Sequence, residues 1–114
     1  MKKTASLKRN DDFQYVFKKG KTKGSSVLVV FVVPNDMHLN RLGVTVSKKM
    51  GKAVVRNKLR RRIKEGFRTF EEELTIGSGH DIVILPKPDL ATVSFAEVVK
   101  TLKYLMKKQG LLNE

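Results

Sequence analysis

The sequence predicts an α+β fold, a two-layer sandwich of helices on a small central sheet, with elements in the order α-β-β-α-β-α. Three observations predict it. Two runs rich in β-branched residues, 27–33 and 81–85, are each stopped by a proline, Pro34 and Pro86. Two longer stretches, 53–74 and 94–109, repeat apolar residues at helical spacing. Clusters of Gly, Asn, Asp and Ser separate these elements by short connections, with no repeat and no low-complexity tract. A chain of 114 residues fits one domain, 1–114, with a single hydrophobic core.

The first helix is predicted near 11–19. Asn10 suits the N-cap, Asp11 and Asp12 suit the first turn, and Gly20 can end the helix. Phe13, Val16 and Phe17 fall on one face. The strand 27–33 is apolar throughout, which calls for cover on both faces. A second strand near 41–47 follows the turn 35–40, and so short a loop favours an antiparallel pair. In the long helix, Val55, Leu59, Ile63, Phe67, Phe70 and Leu74 occupy about 120° of arc. Gly77-Ser78-Gly79 breaks the chain before the third strand at 81–85. The last helix opens on the capping box Ser94-Phe95-Ala96-Glu97 and carries Phe95, Val98, Val99, Leu102, Leu105 and Met106 as its apolar stripe, ending near Gly110.

Charge is segregated along the chain. Residues 1–70 hold 19 Lys and Arg against 4 Asp and Glu, whereas 71–114 hold 5 against 7. Within 41–68 the ratio is 11 to 1. Like charge concentrated in this way repels itself, and a polyanion relieves the repulsion, so nucleic acid is the expected partner. Cysteine is absent, which excludes disulfides, thiolate metal sites and a cysteine nucleophile, and suits the cytoplasm. The N-terminus lacks the apolar stretch of a secretory signal, and the longest apolar run, 27–33, is far too short to cross a membrane.

The charge has a pattern. On the wheel of the long helix, Asn57, Arg60, Arg61, Lys64 and Arg68 fall within about 100° of arc, roughly opposite the apolar stripe. Successive turns lie about 5.4 Å apart, a spacing comparable to that of phosphates along a strand. Arginine adds forked hydrogen bonds to phosphate oxygens. Asn57 could read a base edge or a ribose, or hold the entry loop. The aromatic residues admit two readings. Phe13 and Phe17, bordered by Lys18, Lys19 and Lys21, with Phe31 in the next strand, could stack unpaired bases or simply pack the core.

Three segments together resemble the bacterial ribonuclease P protein: Leu7 to Gly20 (LKRNDDFQYVFKKG), Arg41 to Lys49 (RLGVTVSKK) and Ala53 to Arg61 (AVVRNKLRR). The resemblance runs over nearly the whole chain. It implies a protein component of a ribonucleoprotein endoribonuclease that removes the 5′ leader of precursor tRNA. It implies that Arg56, Asn57, Lys58, Arg60, Arg61 and Lys64, with Arg68, Lys48 and Lys49 beside them, bind the catalytic RNA. It implies a cleft for the single-stranded leader at Phe13, Phe17, Phe31 and Lys18. The connections at 35–40 and 77–80 would form the far side. It also implies a left-handed β-α-β crossover around the long helix, against the usual hand.

No catalytic or metal-ligating residue is expected in this chain. Asp11 and Asp12 look like helix-start residues, Glu71-Glu72-Glu73 closes a helix, and His38 and His80 are unpaired in sequence. The resemblance implies that Mg2+-dependent chemistry belongs to the RNA. The expected partners are therefore the catalytic RNA and precursor tRNA, with no membrane and no DNA. The alternative is a structural RNA-binding protein of ribosomal type. A DNA-binding regulator lacks a helix-turn-helix pattern here, and an autonomous nuclease would need active protein without RNA.

Overall fold

The computed structural model describes residues 4–112. The elements are β1 (Thr4–Ser6), α1 (Asn10–Lys19), β2 (Lys21–Gly24), β3 (Leu28–Pro34), β4 (Asn40–Val44), α2 (Ala53–Arg68), β5 (His80–Pro86) and α3 (Phe95–Lys108), with short 3-10 turns at Lys48–Met50, Glu71–Glu73 and Pro88–Thr92. The α+β class holds. The three helices and the three longer strands stand where periodicity put them, to within a few residues.

The sheet has five strands in the order β1-β4-β5-β3-β2. This corrects the expected β3–β4 hairpin. β5 inserts between those strands, antiparallel to β3 and parallel to β4, so that β4, α2 and β5 form a β-α-β crossover. The turn 35–40 instead crosses over β5, and its backbone bonds the connection before β5: Asn35 N donates to Gly79 O at 3.1 Å and His38 N to Ser78 O at 2.7 Å. Apolar side chains explain the choice. A central strand needs partners on both edges, and Asp81-Ile82-Val83-Ile84 is buried without interruption.

The sandwich of sheet and helices is made by α2 and α3, which cover one face. Leu28, Val30, Val32, Ile82 and Ile84 meet Leu59, Ile63, Phe67, Leu102, Leu105 and Met106 there. Helix α1 crosses the other face, where Val16 packs with Leu7, Val33 and Val83. That second contact supplies the two-sided cover that the apolar strand 27–33 demanded.

Several local expectations change. Helix α1 begins one residue earlier, with Arg9 at the cap and no side-chain cap bond, so Asn10 is the first helical residue. Gly20 ends α1 with extended backbone, and a Cβ there would collide with the carbonyl of Val16. Helix α2 stops at Arg68 because the hydroxyl of Thr69 donates to Gly66 O at 2.7 Å, and Thr69 N and Phe70 N take i−3 carbonyls. Phe70 and Leu74 remain in the core from the following turn. Val55 and Phe95, each in a first helical turn, are exposed rather than buried. The Ser94 cap is as expected, its Oγ accepting from Glu97 N at 3.2 Å.

At the head of β5 the chain is tied down by polar side chains. His80 N donates to Asn40 Oδ1 at 3.0 Å, and the imidazole Nδ1 is buried without a partner among the described residues. Burial lowers the His80 pKa below 6.5, since a charged imidazole would lose solvation. The folded state therefore binds fewer protons than the unfolded chain below that value. Stability contributed by neutral His80 is complete above pH 6.5 and drains as pH falls through the lowered pKa. Chemical denaturation between pH 7 and pH 5 should show this slope, and His80→Gln should reduce it.

Candidate nucleic-acid interface

The interface is organised by the end of β4. After Val44 the chain runs along β5, Thr45 N donating to Ile84 O at 3.1 Å, and then makes the 3-10 turn Lys48–Met50, capped by Ser47 Oγ accepting from Lys49 N at 3.2 Å. Gly51, at φ 129°, redirects the backbone into α2. Lys48 and Lys49 are exposed on that turn. Arg56 folds back on it, its Nε donating to Gly51 O at 3.2 Å.

Helix α2 is pinned through Leu59, Ile63 and Phe67, which forces its other side outward. Asn57, Lys58, Arg61 and Arg68 are exposed, while Arg56, Arg60 and Lys64 are half-buried. Asn57, Arg60, Arg61, Lys64 and Arg68 line a common groove of about 210 Å³. Arg60 holds Asn57 by an Nη1–Oδ1 bond of 2.7 Å and reaches Val44 O at 3.4 Å, so the amide is oriented within the cationic row. Glu65, set aside by the helical wheel, lines the same groove. It does not neutralise the row. Between described residues the salt bridges are those of Arg41, to Asp12 at 3.5 Å and to Asp81 at 2.7 Å, and no α2 cation is in one. Arg62 is turned toward the loop before α3, its Nη2 donating to Val93 O at 2.7 Å.

The aromatic residues divide between the two uses that sequence left open. Phe13, Phe17 and Phe31 are half-buried against the cluster around Val16, so each contributes to the core. Phe17 and Phe31 meet edge to face at 5.1 Å. Phe13 and Phe17 also floor an open cleft of about 280 Å³ with Lys8, Asn10, Gln14 and Thr45. Phe31 supports Phe17 from below, and Lys18 projects into solvent. The Phe13 ring lies directly on β4: a Cβ on Gly43 would come within 2.5 Å of it. Sequence reading missed Lys8, Gln14 and Thr45, which flank the aromatic residues only in space. It also missed Gly43, whose one clue was a glycine inside a strand. Val44 belongs to the cleft by its position and to the basic groove by its carbonyl, so the two surfaces adjoin.

Ribonuclease P is the family whose model matches this sequence, over residues 1–110. The chain belongs to the ribonuclease P protein family. The ribonuclease P protein component of Clostridium kluyveri is 41% identical over 105 residues, covering 92% of this chain and 94% of that one. That of Alkaliphilus metalliredigens is 35% identical over 113 residues, covering 99% and 100%. Among solved structures, the ribonuclease P protein of Thermotoga maritima superposes with a TM-score of 0.80 at 36% identity, covering 90% of this chain and 96% of that one. The Staphylococcus aureus protein gives 0.80 at 31% identity, covering 95% and 97%. Membership makes this chain a subunit of ribonuclease P, an endoribonuclease of tRNA processing, in a holoenzyme with an RNA partner. It displaces the ribosomal-type alternative. Among the described residues, no helix is long and apolar enough to cross a membrane.

Proposed function

We propose that the basic face of α2 binds the catalytic RNA of ribonuclease P, that the Phe13–Phe17 cleft holds the single-stranded 5′ leader of precursor tRNA, and that the RNA, with its Mg2+, carries out the hydrolysis in the cytoplasm. The whole chain, 1–114, works as one RNA-binding domain in this reading. The observation that carries it is the adjacency of two different surfaces: an unneutralised cationic row and an aromatic-floored cleft that meet at Val44. A folded RNA and a single strand need different chemistry. Forked guanidinium groups suit a rigid phosphate array, whereas exposed ring faces accept unstacked bases of any sequence. Bringing substrate to a catalytic RNA sets two polyanions against each other. Arg56, Lys58, Arg60, Arg61, Lys64 and Arg68, with Lys48 and Lys49, screen that repulsion, and Phe13, Phe17, Phe31 and Lys18 keep the leader in place. Counterion release makes the gain depend steeply on salt.

The test is reconstitution with the catalytic RNA at low Mg2+, measuring 5′-leader removal. The protein should stimulate cleavage, and Phe17→Ala should weaken binding of leader-bearing precursor by about 1–3 kcal/mol, the worth of a stacked base. Mature tRNA should bind Phe17→Ala as it binds the unaltered protein. An equal loss for both would remove the leader from this cleft.

A further inference from the structure

β4 and the residue that follows it turn three alternate positions toward α1: Arg41, Gly43 and Thr45. Register fixes the face. Gly43 pairs with Val83, which packs in the cluster under α1, whereas Val44 pairs with Ile84 in the core on the other side. The three residues meet the start of α1 in different ways. Arg41 holds Asp12 at 3.5 Å. Gly43 underlies the ring of Phe13. Thr45 stands in the wall of the cleft whose floor that ring forms.

The backbone does not require a glycine at 43, since its φ lies outside the left-handed region. A glycine inside a strand also weakens it. What requires it is space. A Cβ here would lie 2.5 Å from Phe13 Cζ, 2.6 Å from Phe13 Cε1 and 3.2 Å from Leu7 Cβ. Carbon atoms rest about 3.5–4.0 Å apart, so the ring would have to move by about 1 Å. Helix α1 is held against rocking away: Asp12 ties its first turn to Arg41, and Val16, one turn on, is fully buried. Leu7 is buried beside the same position. The ring is left one way to go, up into the cleft. Core filling would be served as well by alanine at 43 with leucine at 13. Glycine with phenylalanine sinks a flat ring into the strand and leaves it half-buried at the cleft floor.

We infer that Gly43 is a positioning residue for the 5′ leader: the notch it leaves in β4 seats the Phe13 ring low enough for an unpaired leader base to stack within the cleft. It acts through Phe13 and touches no substrate. The inference rests on the reading of the cleft as the leader's site, and the test separates the two.

The measurement is the affinity of the reconstituted holoenzyme for precursor tRNAs whose leaders lengthen one nucleotide at a time, each divided by its affinity for mature tRNA. A general loss of folding or of RNA binding cancels in this ratio. In the unaltered protein the ratio should step up once the leader is long enough to reach the cleft. Gly43→Ala should lower that step by about tenfold, within what one stacked base contributes, and leave shorter leaders as they were. Phe13→Tyr approaches the notch from the other side. Tyrosine stacks on bases as phenylalanine does, but its hydroxyl is carried on Cζ, the atom that already meets Gly43, so the same step should fall. In Phe13→Ala the notch has no ring to seat, and adding Gly43→Ala should cost nothing more. Melting curves accompany each variant; should Gly43→Ala alone not fold, Phe13→Tyr and the double variant decide. If Phe13→Ala keeps the full step, the leader lies elsewhere and the reading of the cleft falls. If Phe13→Ala loses the step while Phe13→Tyr or folded Gly43→Ala keeps it, the notch alone is overturned. A further loss from Gly43→Ala on top of Phe13→Ala overturns it as well, because the glycine would then act without the ring.

Discussion

Asp81→Ala should lower the stability of the fold by about 3 kcal/mol, toward the lower end of what breaking a buried ion pair costs. Asp81 stands at the head of β5 with its side chain 6% exposed. Its Oδ1 accepts from Arg41 Nε and from Asn35 Nδ2, each at 2.8 Å, and its Oδ2 accepts from Arg41 Nη2 at 2.7 Å. Removing the carboxylate strands a partly buried guanidinium. Arg41 keeps Asp12 at 3.5 Å and some solvent, which is why the lower end applies. The turn 35–40 loosens at the same time, because Asn35 loses one of the bonds that hold it while still accepting from Met37 N at 2.9 Å. Urea denaturation measures the loss. A cycle with Arg41→Ala should return a coupling of at least about 1 kcal/mol; additive single effects would show that the pair contributes nothing specific.

The triple variant Arg61→Ala, Lys64→Ala, Arg68→Ala should do the opposite, leaving the fold intact and disabling binding. Each lost phosphate contact removes roughly 0.7–0.9 from the slope of log affinity against log salt, so the slope should shrink by about 2–3. At about 0.1 M salt the same contacts amount to a loss of about a hundredfold in affinity for the RNA partner. Arg61 and Arg68 are exposed, Lys64 is half-buried, and none is in a salt bridge with a described residue, so thermal stability should hold or rise as self-repulsion falls. Fluorescence titrations across a salt series, beside melting curves, separate the outcomes. An unchanged slope would show that these side chains do not face phosphate.

The contrast between these variants tracks what could be read from residues alone. The cationic row was legible because helical period is rigid: burying Leu59, Ile63 and Phe67 dictates where Arg61 and Arg68 point. The strands β3 and β5 were legible because nothing but a covered strand buries so many β-branched residues. β1 and β2 were not, for Thr4-Ala5-Ser6 and Lys21-Thr22-Lys23-Gly24 have neither apolar alternation nor length. They become strands by pairing with the edges that β4 and β3 offer. Strand order was hidden for a related reason. A short turn between β3 and β4 argues for pairing, and only the three-dimensional competition for edges lets β5 displace it.

The placing of β5 has a consequence for how the chain is made. During synthesis the two strands that flank it, β3 and β4, leave the ribosome first, and nothing joins them in one sheet until residues 80–86 follow. The intervening stretch is the one richest in arginine and lysine. For that interval the chain carries its densest positive charge without the strand that completes the core beneath it. A basic segment made before the core can close is therefore built into the order of strands.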